Sequence, residues 1–147
     1  MKRIIIFLVV AIILSGCSSK KPDIPEIAST GIVEIDEQSF VEQCREIYMD
    51  PENYTDKTIV VEGMYMSRTS QGKVFHVVYR NTPGPGEVPG EIGFPLIYDG
   101  EQPQENDWIK VTGMPIVEVD DLGLTNVMLK VTSLEIMNNR GAEIVTG

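Results

Sequence analysis

The spacing of hydrophobic positions changes along the chain, from a helical period before residue 50 to strand-like runs after it. Five apolar residues recur at i, i+1, i+4, i+7 and i+8 and form one face of an amphipathic α-helix. These residues are Phe40, Val41, Cys44, Ile47 and Tyr48. Asp36 is predicted as the N-cap of this helix. Pro51 ends it, because the residue before a proline avoids the helical conformation.

Five runs rich in β-branched and aromatic residues follow the helix and predict β-strands. They cover residues 58–66, 74–80, 92–98, 108–119 and 124–136, with Gly, Pro and Asp turn signals between them. Composition agrees, since residues 31–138 hold 22 Val and Ile, five Leu and no Ala.

A mainly β fold is therefore predicted, a five-stranded OB-like Greek-key barrel preceded by one amphipathic α-helix. Gly63 and Gly113 favour a closed barrel, because a glycine in the middle of a strand marks a sharp bend. Two long bent strands explain both glycines more simply than an internal duplication does. A small open β-sandwich is the alternative fold.

The first residues of the chain form a targeting segment. Lys2 and Arg3 precede an apolar run of eleven residues, 4–14, which is too short for a membrane-spanning helix of about 20 residues. The run ends in Leu14-Ser15-Gly16-Cys17, which resembles the lipobox of bacterial lipoproteins. That resemblance implies lipidation of the Cys17 sulfur with a diacylglycerol and cleavage before Cys17. An ordinary secretory peptide with a chance cysteine is the alternative.

This reading divides the chain into four parts. They are a lipoprotein signal peptide (1–16), a tether (17–30), the barrel domain with its N-terminal helix (31–138) and a flexible tail (139–147). The lipid on Cys17 would hold the protein at the cell membrane, facing the extracytoplasmic side. The tether carries two prolines and shows no sustained period, and it reaches at most about 45 Å.

The formal net charge of the chain is −10, and it becomes −12 when Lys2 and Arg3 leave with the signal peptide. An acidic chain of this kind is a poor nucleic-acid binder, because that affinity comes mainly from Lys and Arg on phosphates. One His and two Cys cannot form a His/Cys metal site of three or four ligands. The chain also lacks the common hydrolase, metalloprotease and nucleotide-binding motifs. No catalytic residue, metal site or cofactor is therefore predicted.

The predicted ligand-binding face combines cationic and aromatic side chains on the second strand and the turn before it. Its residues are Arg68, Lys73, His76, Tyr79 and Arg80. An anion is the ligand that such a group would take, and an oligonucleotide binder is one alternative function. The acidic turn with Asp120 and Asp121 opposes phosphate, so a solvated rim of mixed charge is the simpler interpretation.

Four residues at three places in the sequence have two interpretations each. Cys44 is the one thiol left after lipidation and is either a buried structural cysteine or a reactive one. Trp108 either closes one end of the barrel or stacks on a ligand. Asp120 and Asp121 either form a solvated turn or contact a cation, although the spaced ligands of a calcium loop are absent.

A longer set of motifs resembles an uncharacterised family. The chain reads Phe40-x₃-Cys44-x₂-Ile47-Tyr48-x₂-Pro51-x₂-Tyr54-x₂-Lys57-x-Ile59-x-Val61-x-Gly63, then Gly93-Phe94, Asn106-Asp107-Trp108-Ile109-Lys110-Val111-Thr112-Gly113 and Val131. Over about 100 residues this is similar to the OB-like soluble domain of bacterial putative two-part permease proteins. The resemblance implies an accessory role to a membrane permease or in metal handling. Many family members carry adjacent cysteines where this chain has residues 82–87, which contain none.

We therefore expect a membrane-anchored, non-catalytic OB-like binding or interaction module. An envelope protein or a permease is its expected partner.

Overall fold

The computed structural model describes residues 31–70, 72–86 and 88–147. The predicted signal peptide, Cys17 and the tether lie outside these residues. The elements in chain order are β1 (Ile32–Glu34), α1 (Phe40–Met49), a 3₁₀ turn (Pro51–Tyr54), β2 (Thr58–Ser70), β3 (Lys73–Thr82), β4 (Gly90–Ile97), β5 (Trp108–Val119) and β6 (Thr125–Ile136).

Strands β2 to β6 form a closed barrel, which confirms the predicted mainly β fold with one helix. The long strand β2 pairs with β5 through residues 59–64 and with β3 through residues 64–70, so it belongs to both sides of the barrel. Antiparallel pairs join β3 to β4 and β5 to β6, and a parallel pairing of β4 with β6 completes the circuit. This strand order is that of an OB-like barrel.

Close approach of the neighbouring backbone requires glycine at positions 63 and 113. A Cβ on Gly63 would lie 2.6 Å from the carbonyl oxygen of Tyr79, and one on Gly113 would lie 2.8 Å from that of Lys130. The register of β5 against β6 shifts between Thr112 and Gly113. At both glycines, therefore, no side chain separates the strand from the backbone of its neighbour, which is consistent with the predicted role of these residues in a closed barrel.

Helix α1 packs its apolar face into the barrel. Phe40, Val41, Cys44 and Ile47 are buried, and burial raises the pKa of the Cys44 thiol to about 12. A thiol with this pKa is almost wholly protonated near neutral pH, which agrees with a structural rather than a reactive cysteine.

The start of α1 differs from the prediction. The N-cap is Ser39, and Asp36 instead accepts a hydrogen bond of 2.7 Å from the backbone N–H of Gln38, in a turn before the helix. Asp36 has the short carboxylate that both positions favour, so sequence preference alone did not separate a turn from a cap. The end of the helix at Met49, just before Pro51, is as predicted.

The prediction of a flexible tail over residues 139–147 is wrong. Asn81 donates its N–H to Glu143 O and accepts the N–H of Val145, both at 2.8 Å, and Val145 is buried in the core. The β2–β3 pairing ends at Met64 and Tyr79, so the edge of β3 beyond that point is free of β2. The last residues of the chain take up this edge as a short parallel bridge between Asn81 and Ile144.

Candidate functional site

The structure divides the predicted ligand-binding face between two sides of the sheet. Along β3, Tyr79 and Lys73 share one side, whereas His76 and Arg80 share the other with buried Val78. Arg68 pairs with Phe75 and therefore lies on the side of Tyr79. The five residues do not form one site, and the prediction of a single face is corrected.

On the outer side, the charge of Arg68 is already neutralised. Its Nη2 atom forms an ion pair with Glu91 on β4, and its Nε donates to the sulfur of Met66 at 3.0 Å. Tyr79 donates its hydroxyl to Asn106 at 3.3 Å. An anion would have to displace a carboxylate here, so this rim has mixed charge rather than an anion-binding character.

His76 packs with two tyrosines, Tyr65 and Tyr98. Its Nδ1 lies 2.6 Å from the hydroxyl oxygen of buried Tyr65, and the ring of Tyr98 meets it edge-on with centroids 6.2 Å apart. These contacts hold the imidazole away from Arg68 and give it a packing role.

Arg80 is the least expected of the predicted residues, because its side chain is only 3% exposed. Its Nε donates to Glu62 O at 2.9 Å, and its Nη1 donates to Glu37 at 3.0 Å and to Ala142 O at 3.2 Å. It lies just beyond the last β2–β3 pair, where the two strands separate. The guanidinium therefore binds one carbonyl of β2 beyond the β2–β3 pairing and one carbonyl of the C-terminal segment.

Aromatic rings surround the same guanidinium. Its central carbon lies 4.6 Å from the ring centroid of Phe40 and 4.8 Å from that of Trp108, distances typical of cation–π contacts. Arg140 lies over the Trp108 ring as well, at 5.3 Å. Trp108 is buried beside Arg80. This position agrees with the prediction that Trp108 closes one end of the barrel. Its Nε1 has no hydrogen-bond partner among the residues that the structure describes.

The carboxylate of Glu37 connects the segment before α1 with the C-terminal segment around Ala142. It accepts the N–H of Ala142 at 2.8 Å as well as the bond from Arg80. The Ala142 N–H, and then the Arg80 guanidinium, hold the pKa of Glu37 below its ordinary value. No local pattern predicts this contact, because Glu37 and Ala142 lie 105 residues apart.

A lowered carboxyl pKa makes stability depend on pH in a defined direction. The contribution of Glu37 is complete above the ordinary Glu pKa and is lost as the pH falls through the lower, folded-state pKa. We expect Glu37→Gln to be less stable than the wild type at neutral pH and to lose less stability on acidification. Urea unfolding across this pH range measures the effect, with Glu52→Gln on the 3₁₀ turn as the matched control. Parallel curves for Glu37→Gln and the wild type would contradict the role of this carboxylate.

An open acidic cleft of about 470 Å³ lies beside Arg80. The Nζ of Lys110 lies 3.2 Å from a carboxylate oxygen of Glu62 and 3.6 Å from one of Glu34, so it balances part of the negative charge of the cleft. Among the described residues, no group of three or more His, Cys, Asp or Glu side chains is placed to hold a metal ion. The residues lining the cleft are Glu34, Ile35, Asp36, Glu37, Val60, Glu62 and Arg80.

The β2–β3 turn projects from the barrel and carries exposed apolar side chains that the sequence analysis did not single out. The β2–β5 pairing stops at Met64, and the β3–β4 pairing begins at His76. We call residues 68–70 and 72–75 the distal hairpin. Phe75 is 40% exposed beside Arg68, and Val74 is exposed on the other side. Because Lys73, Val74 and Phe75 are all exposed, the alternation of residues along β3 does not distinguish an exposed side in this part of the strand.

Comparison with known proteins bears on the N-terminal segment. Residues 1–18 match a family model described as the prokaryotic membrane lipoprotein lipid attachment site. This match supports a membrane-anchored lipoprotein. It agrees with the predicted lipobox, whose last residue is Cys17. No curated protein matches the chain. Within residues 31–147, apart from 71 and 87, no helix is long and apolar enough to cross a membrane.

Proposed function

We propose that this lipoprotein is a non-catalytic interaction module, held at the membrane by the lipid on Cys17 and facing the extracytoplasmic side. Its distal hairpin is the surface that binds a protein partner. The observation that carries the proposal is the exposure of Phe75 on a hairpin that projects beyond the closed barrel. A large aromatic side chain in that position gains most by becoming buried against another surface.

The chemistry around Phe75 favours a protein over a smaller or more charged ligand. His76 pairs with Leu96, which brings the next residue of β4, Ile97 (44% exposed), near Phe75. Arg68, the strand partner of Phe75, forms an ion pair with Glu91. An apolar centre with a polar rim is the usual composition of a protein interface. Nucleic acid fits poorly, because Arg68 on this face is already paired with Glu91 and the mature chain carries a net charge of −12.

The position of the distal hairpin relative to the tether also supports this role. The chain enters the barrel at Gly31, whose carbonyl accepts the N–H of Thr58 at the start of β2. The distal hairpin lies at the other end of this 13-residue strand, about 40 Å away if the strand were straight. A partner can therefore reach the hairpin while the domain remains attached to the bilayer.

An accessory role to a membrane permease or in metal handling is the alternative, and it rests on the resemblance in residues 40–63, 93–94 and 106–113. The permease role is one outcome of the experiment below, since a permease would then be the partner found. The metal role has less support, because residues 82–87 lack the cysteines of the family.

Site-specific crosslinking in cells tests the proposal. A photo-crosslinking amino acid at Lys73, next to Phe75, is expected to give one discrete adduct in the membrane fraction. Phe75→Asp in the same protein should reduce the adduct at least several-fold, because it places a charge where an apolar contact is expected. Mass spectrometry of the adduct distinguishes a permease from another envelope protein.

The matched control is Ile32→Asp, which also places a charge at an exposed apolar position, but on β1 at the tether end. This variant should keep the adduct. Absence of any adduct at Lys73, or an adduct of equal yield in Phe75→Asp and the wild type, would refute the proposed surface. Thermal unfolding of both variants checks that each one is folded.

A further inference from the structure

The turn between β5 and β6 exposes three large apolar side chains close together. Val119 is 66% exposed, Leu122 is 83% exposed and Leu124 is 60% exposed. Asp120 fixes the shape of this turn, because one of its carboxylate oxygens accepts the N–H of Leu122 at 2.9 Å and that of Leu124 at 2.8 Å. We call residues 119–124 the proximal turn. The turn holds its apolar residues in solvent by a defined set of hydrogen bonds.

The proximal turn extends from the end of the barrel at which the tether enters. Strand β5 runs antiparallel to β2, and Gly113 pairs with Ile59 near the start of β2. Strand β5 then continues for six more residues to Val119, a length of about 20 Å. Gly31 contacts Thr58 at this same start of β2.

The tether is long enough for the proximal turn to reach the bilayer. Residues 17–30 separate the lipid-bearing Cys17 from Gly31 and span at most about 45 Å. This reach exceeds the distance by which β5 extends past the start of β2, which is at most about 20 Å. We propose that the proximal turn rests on the surface of the bilayer that holds the lipid of Cys17, with its three apolar side chains among the lipid headgroups.

Because the lipid on Cys17 already holds the domain at the membrane, a weak contact between the proximal turn and the bilayer is enough to keep the turn at the surface. An attached domain meets the bilayer at an effective concentration in the millimolar range, so the apolar turn needs no high intrinsic affinity for lipid. Transfer of the apolar side chains out of water is favourable. The turn loses little conformational entropy on binding, because the Asp120 carboxylate already fixes its shape.

The charge of the turn selects the kind of lipid surface. Glu118, Asp120 and Asp121 lie beside the apolar residues, and their carboxylates are repelled by anionic headgroups within a Debye length of about 8 Å. The proximal turn therefore fits a zwitterionic surface better than an anionic one.

Depth-dependent fluorescence quenching tests the contact. The lipidated protein with Leu122→Cys carries an environment-sensitive dye and is incorporated into phosphatidylcholine vesicles that contain nitroxide-labelled lipid. Labelling is specific, because Cys17 is blocked by lipid and Cys44 is buried with a raised pKa. The same dye on Ser70→Cys, in the distal hairpin, is the matched control. We expect several-fold stronger quenching at position 122 than at position 70.

Two further measurements separate the apolar contact from an effect of the dye. Val119→Ser combined with Leu124→Ser should lower quenching at position 122 towards that at position 70, and phosphatidylglycerol in the vesicles should also lower it. Both substitutions are at exposed positions, and unfolding curves show whether the fold is kept. Equal quenching at positions 122 and 70, or quenching that the serine substitutions leave unchanged, would overturn the proposal. Neither result depends on the partner of the distal hairpin.

Discussion

Cys17→Ala is expected to abolish incorporation of labelled palmitate and to leave the protein at its unprocessed length, with residues 1–16 attached. The reason is chemical, because alanine has no sulfur to bond to the diacylglycerol and the lipid-dependent cleavage site is lost. Gel electrophoresis of labelled cells and the intact mass of the purified protein measure both effects. In the wild type, globomycin should cause a labelled precursor to accumulate, since cleavage follows lipid attachment.

The matched control is Cys44→Ala, which removes the other thiol of the chain. Cys44 is buried in the face of α1 that packs on the barrel, so its removal changes core packing and leaves the lipid attachment site unchanged. This variant should incorporate palmitate like the wild type. Label retained in Cys17→Ala, or lost in Cys44→Ala, would show that the lipid is attached elsewhere.

Arg80→Met is expected to lower the free energy of unfolding by about 2–4 kcal/mol, because the carbonyls of Glu62 and Ala142 and the carboxylate of Glu37 each lose the donor that the buried guanidinium supplies. Methionine keeps much of the apolar volume between Phe40 and Trp108, so the loss reports hydrogen bonds more than packing. A domain of this size has a stability of about 5–15 kcal/mol, so the effect is large. Urea unfolding of the mature protein at neutral pH measures it.

Arg68→Met is the control for this prediction. Arg68 and its partner Glu91 are both about half exposed, and an exposed ion pair contributes about 0–1 kcal/mol. The two variants lose the same charge from neighbouring strands of one barrel. A loss in Arg80→Met no larger than that in Arg68→Met would mean that the buried guanidinium is replaceable.

The barrel could be predicted from the sequence because its signals are local. The predicted run 108–119 coincides with β5, and the predicted run 124–136 differs from β6 by one residue at its start. Strand β1 was missed because three residues carry too little pattern to be recognised, and it forms only by pairing with the start of β2. Strands β2 and β3 extend past their predicted ends, where the turn residues between them suggested a loop.

The positions of the site residues depend on contacts that no local pattern contains. Alternation along β3 correctly places Arg80 on the side of Val78, and Val78 is buried. An arginine in a strand is normally assigned to the surface, since charged side chains are rarely fully buried without a partner. Its partners, Glu37 and Ala142, come from opposite ends of the domain, so only the assembled fold shows that it is internal.

The contact between Glu37, Arg80 and Ala142 can form only after a delay during synthesis of the chain. Glu37 is synthesised 105 residues before Ala142, which at usual rates of translation is roughly 5–20 s. From the synthesis of Trp108 until that of Ala142, Arg80 and Trp108 lack the segment that covers them, and at Asn81 the edge of β3 that faces away from β4 is unpaired. The five strands of the barrel end at Ile136, so the buried arginine obtains its full set of partners only after the barrel strands themselves have been synthesised.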